Sequence, residues 1–173
     1  MHDLLIKDAL FVTCDQNHKI VYDGIMAVKN GRITALEQSE SDAGRQLQAH
    51  QTLSAKGRLV MPGLINTHCH AGDSLFRGLV EGLTLESWLG QVWIAEKAIL
   101  TKETTYLGSV LGLAENLVAG VTTVMDMFWY PNETVRAAND LGMRLSTGGI
   151  FFDLPGIGDR LHMNCLLYTS PSP

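Results

Sequence analysis

Two histidines one residue apart, His68 and His70, close the run Val60-Met61-Pro62-Gly63-Leu64-Ile65-Asn66-Thr67-His68-Cys69-His70. Read as a strand, the run alternates its side chains, so both imidazoles project to one side and Cys69 to the other. Two imidazoles so placed can share one divalent cation. The spacing carries little weight by itself, because six histidines in 173 residues give about 0.2 such pairs by chance. Standing alone, the pair would read as solvated or capping histidines at a strand end. His2, His18, His50 and His162 lack such a context and read as surface residues.

The elements that must hold this pair are legible from periodicity and turn chemistry. Residues 3 to about 56 are β-rich: Leu4-Leu5-Ile6 and Ala9-Leu10-Phe11-Val12 precede the turn-forming Asp15-Gln16-Asn17. A hairpin is expected where Gly24 to Lys29 and Arg32 to Leu36 flank Asn30-Gly31, since Asn-Gly supplies the positive φ values of a type I′ turn. Residues 39–50 are polar and read as a connector or short helix. From Gly57 strands alternate with helices, which favours a parallel sheet with crossover helices. Helices are expected from Thr84 to about Leu100 and from Thr101 to Ala119, each opening on a Thr that can cap. In the second, Leu107, Val110, Leu111, Ala114, Leu117 and Val118 keep helical spacing and predict a face packed on the sheet. Val121 to Asp126 reads as a buried strand, Asn132 to Leu141 as a helix closed by Gly142, and Met143 to Phe152 as a further strand. The organisation expected is thus 1–56 a small β domain, 57–162 an α/β domain, and 163–173 a non-native or disordered tail.

Composition narrows the partners. With 46% hydrophobic and 18% charged residues, the chain suits a globular protein with a substantial core. A formal charge of -5 without a Lys/Arg cluster argues against nucleic acid or an anionic membrane, so a small-molecule substrate is expected. Asp3, Lys7 and Asp8 interrupt any apolar leader, and the expected address is the cytoplasm. Cys14, Cys69 and Cys165 are odd in number and far apart, so free thiols are expected.

The β-rich leader, the Gly31-Arg32-Ile33 hairpin, Met61-Pro62-Gly63-Leu64-Ile65-Asn66-Thr67-His68-Cys69-His70 and Leu75-Phe76-Arg77-Gly78 together resemble the metal-dependent amidohydrolase superfamily. Leu83-Thr84-Leu85-Glu86-Ser87-Trp88-Leu89 and Glu96 are most similar to its branch of methylthioadenosine/S-adenosylhomocysteine deaminases and triazine chlorohydrolases. The resemblance implies an incomplete (β/α)8 TIM barrel, about its first three β/α units, preceded by a small β-sandwich-like domain. It implies His68 and His70 as ligands of Zn2+, or Fe2+ in some relatives, at the C-terminal end of the first barrel strand.

The implied chemistry is hydrolysis of a non-peptide C–N bond, deaminating an aminated heterocycle by metal-activated water. Its rivals are chlorohydrolysis of a halogenated triazine-like ring and a non-catalytic metal-binding or interaction fragment. The family's later ligands and acid/base, namely a His on strand five, a His and Glu around strand six and an Asp on strand eight, find no counterpart here. The chain is accordingly expected to be the N-terminal part of an enzyme, inactive alone, and a homo-oligomer stays open for the full-length protein.

The resemblance places Glu96 where relatives hold a ribose or similar polar group, against the plainer reading of a solvated helix carboxylate. Cys69 is expected in core packing, Arg77 in a loop-tying ion pair, and Asp126 as a cap on the following helix. Phe128, Trp129 and Tyr130 either wall a heteroaromatic substrate or cover the barrel mouth. Relatives acting on adenosine-type substrates carry an Arg near a Thr-Arg-Gly sequence where this chain has Thr147-Gly148-Gly149, which weakens S-adenosylhomocysteine as substrate.

Overall fold

The computed structural model describes residues 1–148; the expected tail 163–173, His162, Cys165, Gly149 and the far end of the strand expected to reach Phe152 lie outside them. The chain divides into two compact units, Met1–Pro62 and Gly63–Pro173.

The first unit is one hydrogen-bonded sheet of five strands, β1 (His2–Val12), β2 (Ile20–Lys29), β3 (Arg32–Gln38), β4 (Ala49–Ser54) and β5 (Leu59–Val60). The order is β3-β2-β1-β4, with β5 also paired to β1. The expected sandwich-like pair is therefore corrected to a single sheet. It buries both faces because β1 is kinked: Asp8 has φ 64°, and the β1–β2 register shifts on either side of Ala9. Leu5, Ile25 and Ala27 pack on one face, and Ala9, Phe11, Val21 and Ala55 on the other. At the hairpin Asn30 and Gly31 have φ 52° and 70°, the conformation a type I′ turn demands. A four-residue helix, α1 (Asp42–Arg45), is capped by the Ser41 hydroxyl within the polar connector. The parallel strand β4 was not foreseen, because five of its six residues are exposed and no alternation marks it.

The second unit carries a parallel sheet ordered β6-β7-β8, from β6 (Leu64–Cys69), β7 (Val121–Asp126) and β8 (Arg144–Thr147). Between β6 and β7 lie a 3-10 helix (Ala71–Phe76), α2 (Leu85–Ile99) and α3 (Lys102–Val118); α4 (Pro131–Leu141) joins β7 to β8. The single apolar strand expected from Val60 to His70 is two strands. Leu59–Val60 pairs with β1, and Pro62, which has no N–H to donate, and Gly63 separate it from β6. Gly63 is held to glycine by a close approach, since a Cβ there would lie 2.2 Å from the Thr122 hydroxyl oxygen.

Helix α3 opens on a capping box between Thr101 and Thr104, whereas the Thr84 side chain caps nothing in α2 and bonds Ser87 instead. The expected apolar face of α3 is corrected: Leu107, Leu111 and Val118 are exposed, and the buried face is Thr105, Gly108, Ser109, Gly112 and Leu113, with Val110 and Leu117 at its margin. The reason is a backbone contact. A Cβ on Gly108 would come 2.4 Å from the Gly72 carbonyl oxygen, and one on Gly112 2.9 Å from that of Ala71, so the 3-10 helix seats directly on α3. No helix of the described residues is long and apolar enough to cross a membrane.

Candidate metal and substrate site

The C-terminal ends of the parallel strands bring the candidate residues together. His68 is exposed near the end of β6, and His70 is the first residue of the turn into the 3-10 helix. Their ring centroids are 4.9 Å apart with planes at 82°. Three hydrogen bonds fasten this segment to β7: Met127 N–H donates to the Cys69 carbonyl (3.1 Å), Ala71 N–H to Asp126 Oδ1 (2.7 Å), and His70 Nδ1 pairs with the Met127 carbonyl (2.6 Å). A carbonyl only accepts, so Nδ1 carries a proton, and in the neutral imidazole the lone pair is then on Nε2. A backbone acceptor behind one nitrogen is the arrangement that orients a metal-ligating imidazole.

Asp126, expected to cap the helix that follows it, instead caps the 3-10 helix after β6 through Ala71 N–H. Helix α4 has Tyr130 at its N-cap with no side-chain cap. Burial raises the Asp126 pKa, against the lowering effect of that backbone bond. Cys69 packs into the cluster of Ala71, Leu113 and Val124, and burial followed by the nearby Asp126 charge pushes its thiol up to about 11. A thiol so neutral is core filling and no candidate ligand. Arg77 makes the expected ion pair, bidentate to Glu115 at 2.8 and 2.5 Å; both partners are solvated, so it steers the chain more than it stabilises it.

Glu96 is 7% exposed, so it is no solvated helix carboxylate. Trp129 Nε1–H donates to its Oε2 at 2.9 Å, and the Asp73 carboxylate lies near enough for its charge to act on it. Burial raises its pKa to about 8, with Asp73 adding to the rise and the Trp129 bond opposing it. The Asp73 pKa is likewise raised by burial. Near neutrality Glu96 therefore favours its protonated form. Phe128 is buried against Gly72, where a Cβ would lie 2.1 Å from its ring, so of the aromatic run Phe128 is packing and Trp129 touches the site. Asp73 and the Met127 carbonyl were not singled out from sequence. Asp73, three residues after His70 in a run of small residues, was the available signal, whereas a backbone carbonyl leaves none.

Among the described residues no group of three or more His, Cys, Asp or Glu side chains could enclose a metal, so this segment offers two imidazoles and no closed site. They fit a metal as part of a ligand set, on the evidence of the His70 Nε2 lone pair.

The chain is 38% identical over 143 residues to a 5-methylthioadenosine/S-adenosylhomocysteine deaminase of Acetivibrio thermocellus, covering 82% of this chain and 33% of that protein. The fold, a mixed α/β one, resembles an adenosine deaminase from Xanthomonas campestris with bound zinc (TM-score 0.78, 32% identity, 83% of this chain and 33% of the other). It also resembles atrazine chlorohydrolase from Arthrobacter aurescens complexed with zinc (TM-score 0.77, 25% identity, 98% and 44%). The chain spans about a third of the length of the curated relatives it matches. The profile of the amidohydrolase family matches residues 59–169, from the strand before the histidine pair onward, and with these relatives it shows that the chain belongs to the amidohydrolase family.

Proposed function

We propose that this chain contributes the first two metal ligands, His68 and His70, and the substrate-contacting Glu96 of a cytoplasmic amidohydrolase that deaminates a small aminated heterocycle. The observation that carries the reading is the bond from His70 Nδ1–H to the Met127 carbonyl, which commits Nε2 to an acceptor role beside His68 at the strand ends. Within a (β/α)8 barrel, that end of the strands is where active sites are built. A bound Zn2+, or Fe2+, would be held by His70 Nε2 and the His68 imidazole and would supply Lewis acidity toward water and the ring carbon.

The residues of this chain do the orienting. Asp126 fixes the turn that follows the pair, and the Met127 carbonyl fixes the His70 tautomer. Glu96, its carboxyl kept protonated by burial and braced by Trp129, can both donate to and accept from a substrate hydroxyl. Deamination is preferred to dechlorination because a relative named as a deaminase is 38% identical, against 25% for the chlorohydrolase structure.

The test is a Zn2+ titration of the purified chain, followed by NMR of the imidazole signals. His68 and His70 resonances are expected to shift together, His70 Nδ1–H is expected to persist, and the response is expected to vanish in H68A/H70A. Unmoved signals of both histidines at millimolar zinc, or a response that survives in the double variant, would overturn the assignment.

A further inference from the structure

Strand β6 contains an irregularity that its histidine spacing alone does not explain. Asn66 pairs with Val124 of β7 and Cys69 with Asp126, so three steps along β6 match two along β7. This is a bulge at Thr67-His68. Its consequence for the site is large. Asn66 reaches toward α3, bonding Asn116, and Cys69 packs into the cluster that includes Leu113 of α3. In a strictly alternating strand Asn66 and His68 would share a face, and His68 would turn toward α3. The extra residue turns His68 away.

A continuous chain of amide hydrogen bonds holds the bulge. Asn116 Nδ2 donates to the Gly112 carbonyl (2.8 Å), Asn66 Nδ2 donates to Asn116 Oδ1 (3.1 Å), and His68 N–H donates to Asn66 Oδ1 (3.2 Å). The ends of the chain dictate the orientation of each amide. The Gly112 carbonyl can only accept and the His68 N–H can only donate, so neither asparagine can be flipped without losing two bonds. Asn is also poorly suited to both places, a strand interior and the last turns of a helix. Two such residues meeting side chain to side chain across 50 positions of sequence call for a reason.

We propose that Asn66 and Asn116 are positioning residues, an amide relay from α3 to the His68 backbone that sets the bulge and so presents the His68 imidazole beside that of His70. The inference rests on the metal reading above for its purpose, but its geometry can be tested without metal.

Amide hydrogen exchange at His68, in chelator, reads the relay directly. N116L, which keeps the branched shape and removes the amide, and N66A are each expected to speed His68 exchange by about tenfold or more while the amides of β7 are unchanged. N116D keeps an oxygen for Asn66 Nδ2 and is expected to retain most of the protection. Zn2+ affinity of N116L is expected to fall about 10- to 100-fold, the usual effect of removing a group that orients a ligand. Unchanged His68 exchange in a folded N116L would overturn the relay, as would equal loss in N116D and N116L. A parent chain whose histidines ignore Zn2+ while N116L accelerates His68 exchange would instead uphold the relay and overturn the metal reading, so the two failures are distinct.

Discussion

The two units bury different kinds of side chain. In Met1–Pro62 the buried residues are Leu5, Ala9, Phe11, Val21, Ile25, Ala27 and Ala55 with two glycines, none with a polar side chain, although the hydroxyl of half-buried Ser39 is also out of solvent. In the described part of the second unit, Glu96, Thr105, Ser109, Asp126 and Thr134 are buried beside glycines that admit close backbone contact. Apolar burial stabilises without direction, whereas a buried carboxylate or hydroxyl must find a partner at a fixed place. The first unit is thus held chiefly by apolar contact, and the second gives up apolar contact to place particular atoms: Asp126 on Ala71 N–H, Ser109 against Thr134, Glu96 on Trp129. Buried titratable groups cluster where chemistry is arranged, and here they cluster beside the histidine pair.

The largest effect expected is in the apolar unit. Phe11 is 2% exposed and packs with Ala9, Val21 and Ala55. F11A should cost about 3–5 kcal/mol through lost burial and the cavity left behind, measured by amide exchange of β1 and β2. A loss under about 1 kcal/mol would mean that this unit does not depend on its apolar core, and the contrast with the second unit would fail.

A smaller cost is expected where backbone proximity replaces side-chain bulk. A Cβ on Gly72 would sit 2.1 Å from the ring of buried Phe128. G72A should cost about 1–3 kcal/mol by overpacking, and adding F128L should restore part of it. All three tryptophans, Trp88, Trp93 and Trp129, lie in the second unit, so their fluorescence follows its unfolding. An additive double variant would show that the two residues do not compete for the same space.

The same contrast explains what the sequence disclosed. Where large apolar residues alternate or a turn needs positive φ, the elements were legible: the Asn30-Gly31 hairpin, Val121–Asp126 and the helix closed by Gly142 fall where their chemistry puts them. Where the packed face is glycine, serine and threonine, hydrophobic spacing misleads. Leu107, Leu111 and Val118 repeat at helical intervals, yet the face they predict for α3 is exposed and Gly108 and Gly112 make the contact. The histidine pair was singled out by its distinctive flanks and Glu96 by resemblance, and the roles given to them are the proposal above. Asp73, Asn116 and the Met127 carbonyl were not singled out, because their partners are distant in sequence and their residue types carry no period. The bulge that separates Asn66 from His68 is likewise invisible to alternation, which assumes that it is absent.

The finest discrimination between the units concerns pH. Glu96 has its pKa raised from an ordinary 4.5 to about 8, first by burial and then by Asp73. Between those values the folded protein holds a proton that the unfolded chain has released, so the second unit loses stability as pH rises through that window. The contribution is complete below about pH 4.5 and gone above about pH 8. Glutamine at this position keeps an oxygen for Trp129 Nε1–H, but it cannot titrate. E96Q should therefore match the parent near pH 5 and exceed it near pH 8, leaving only the slope that Asp73 and Asp126 contribute, whose pKa values burial also raises. Tryptophan-detected melting at both pH values, in chelator, measures the difference. Parallel slopes for parent and E96Q would mean that Glu96 is ionised in the folded chain, and the carboxyl that can both give and take a hydrogen bond would be lost from the site.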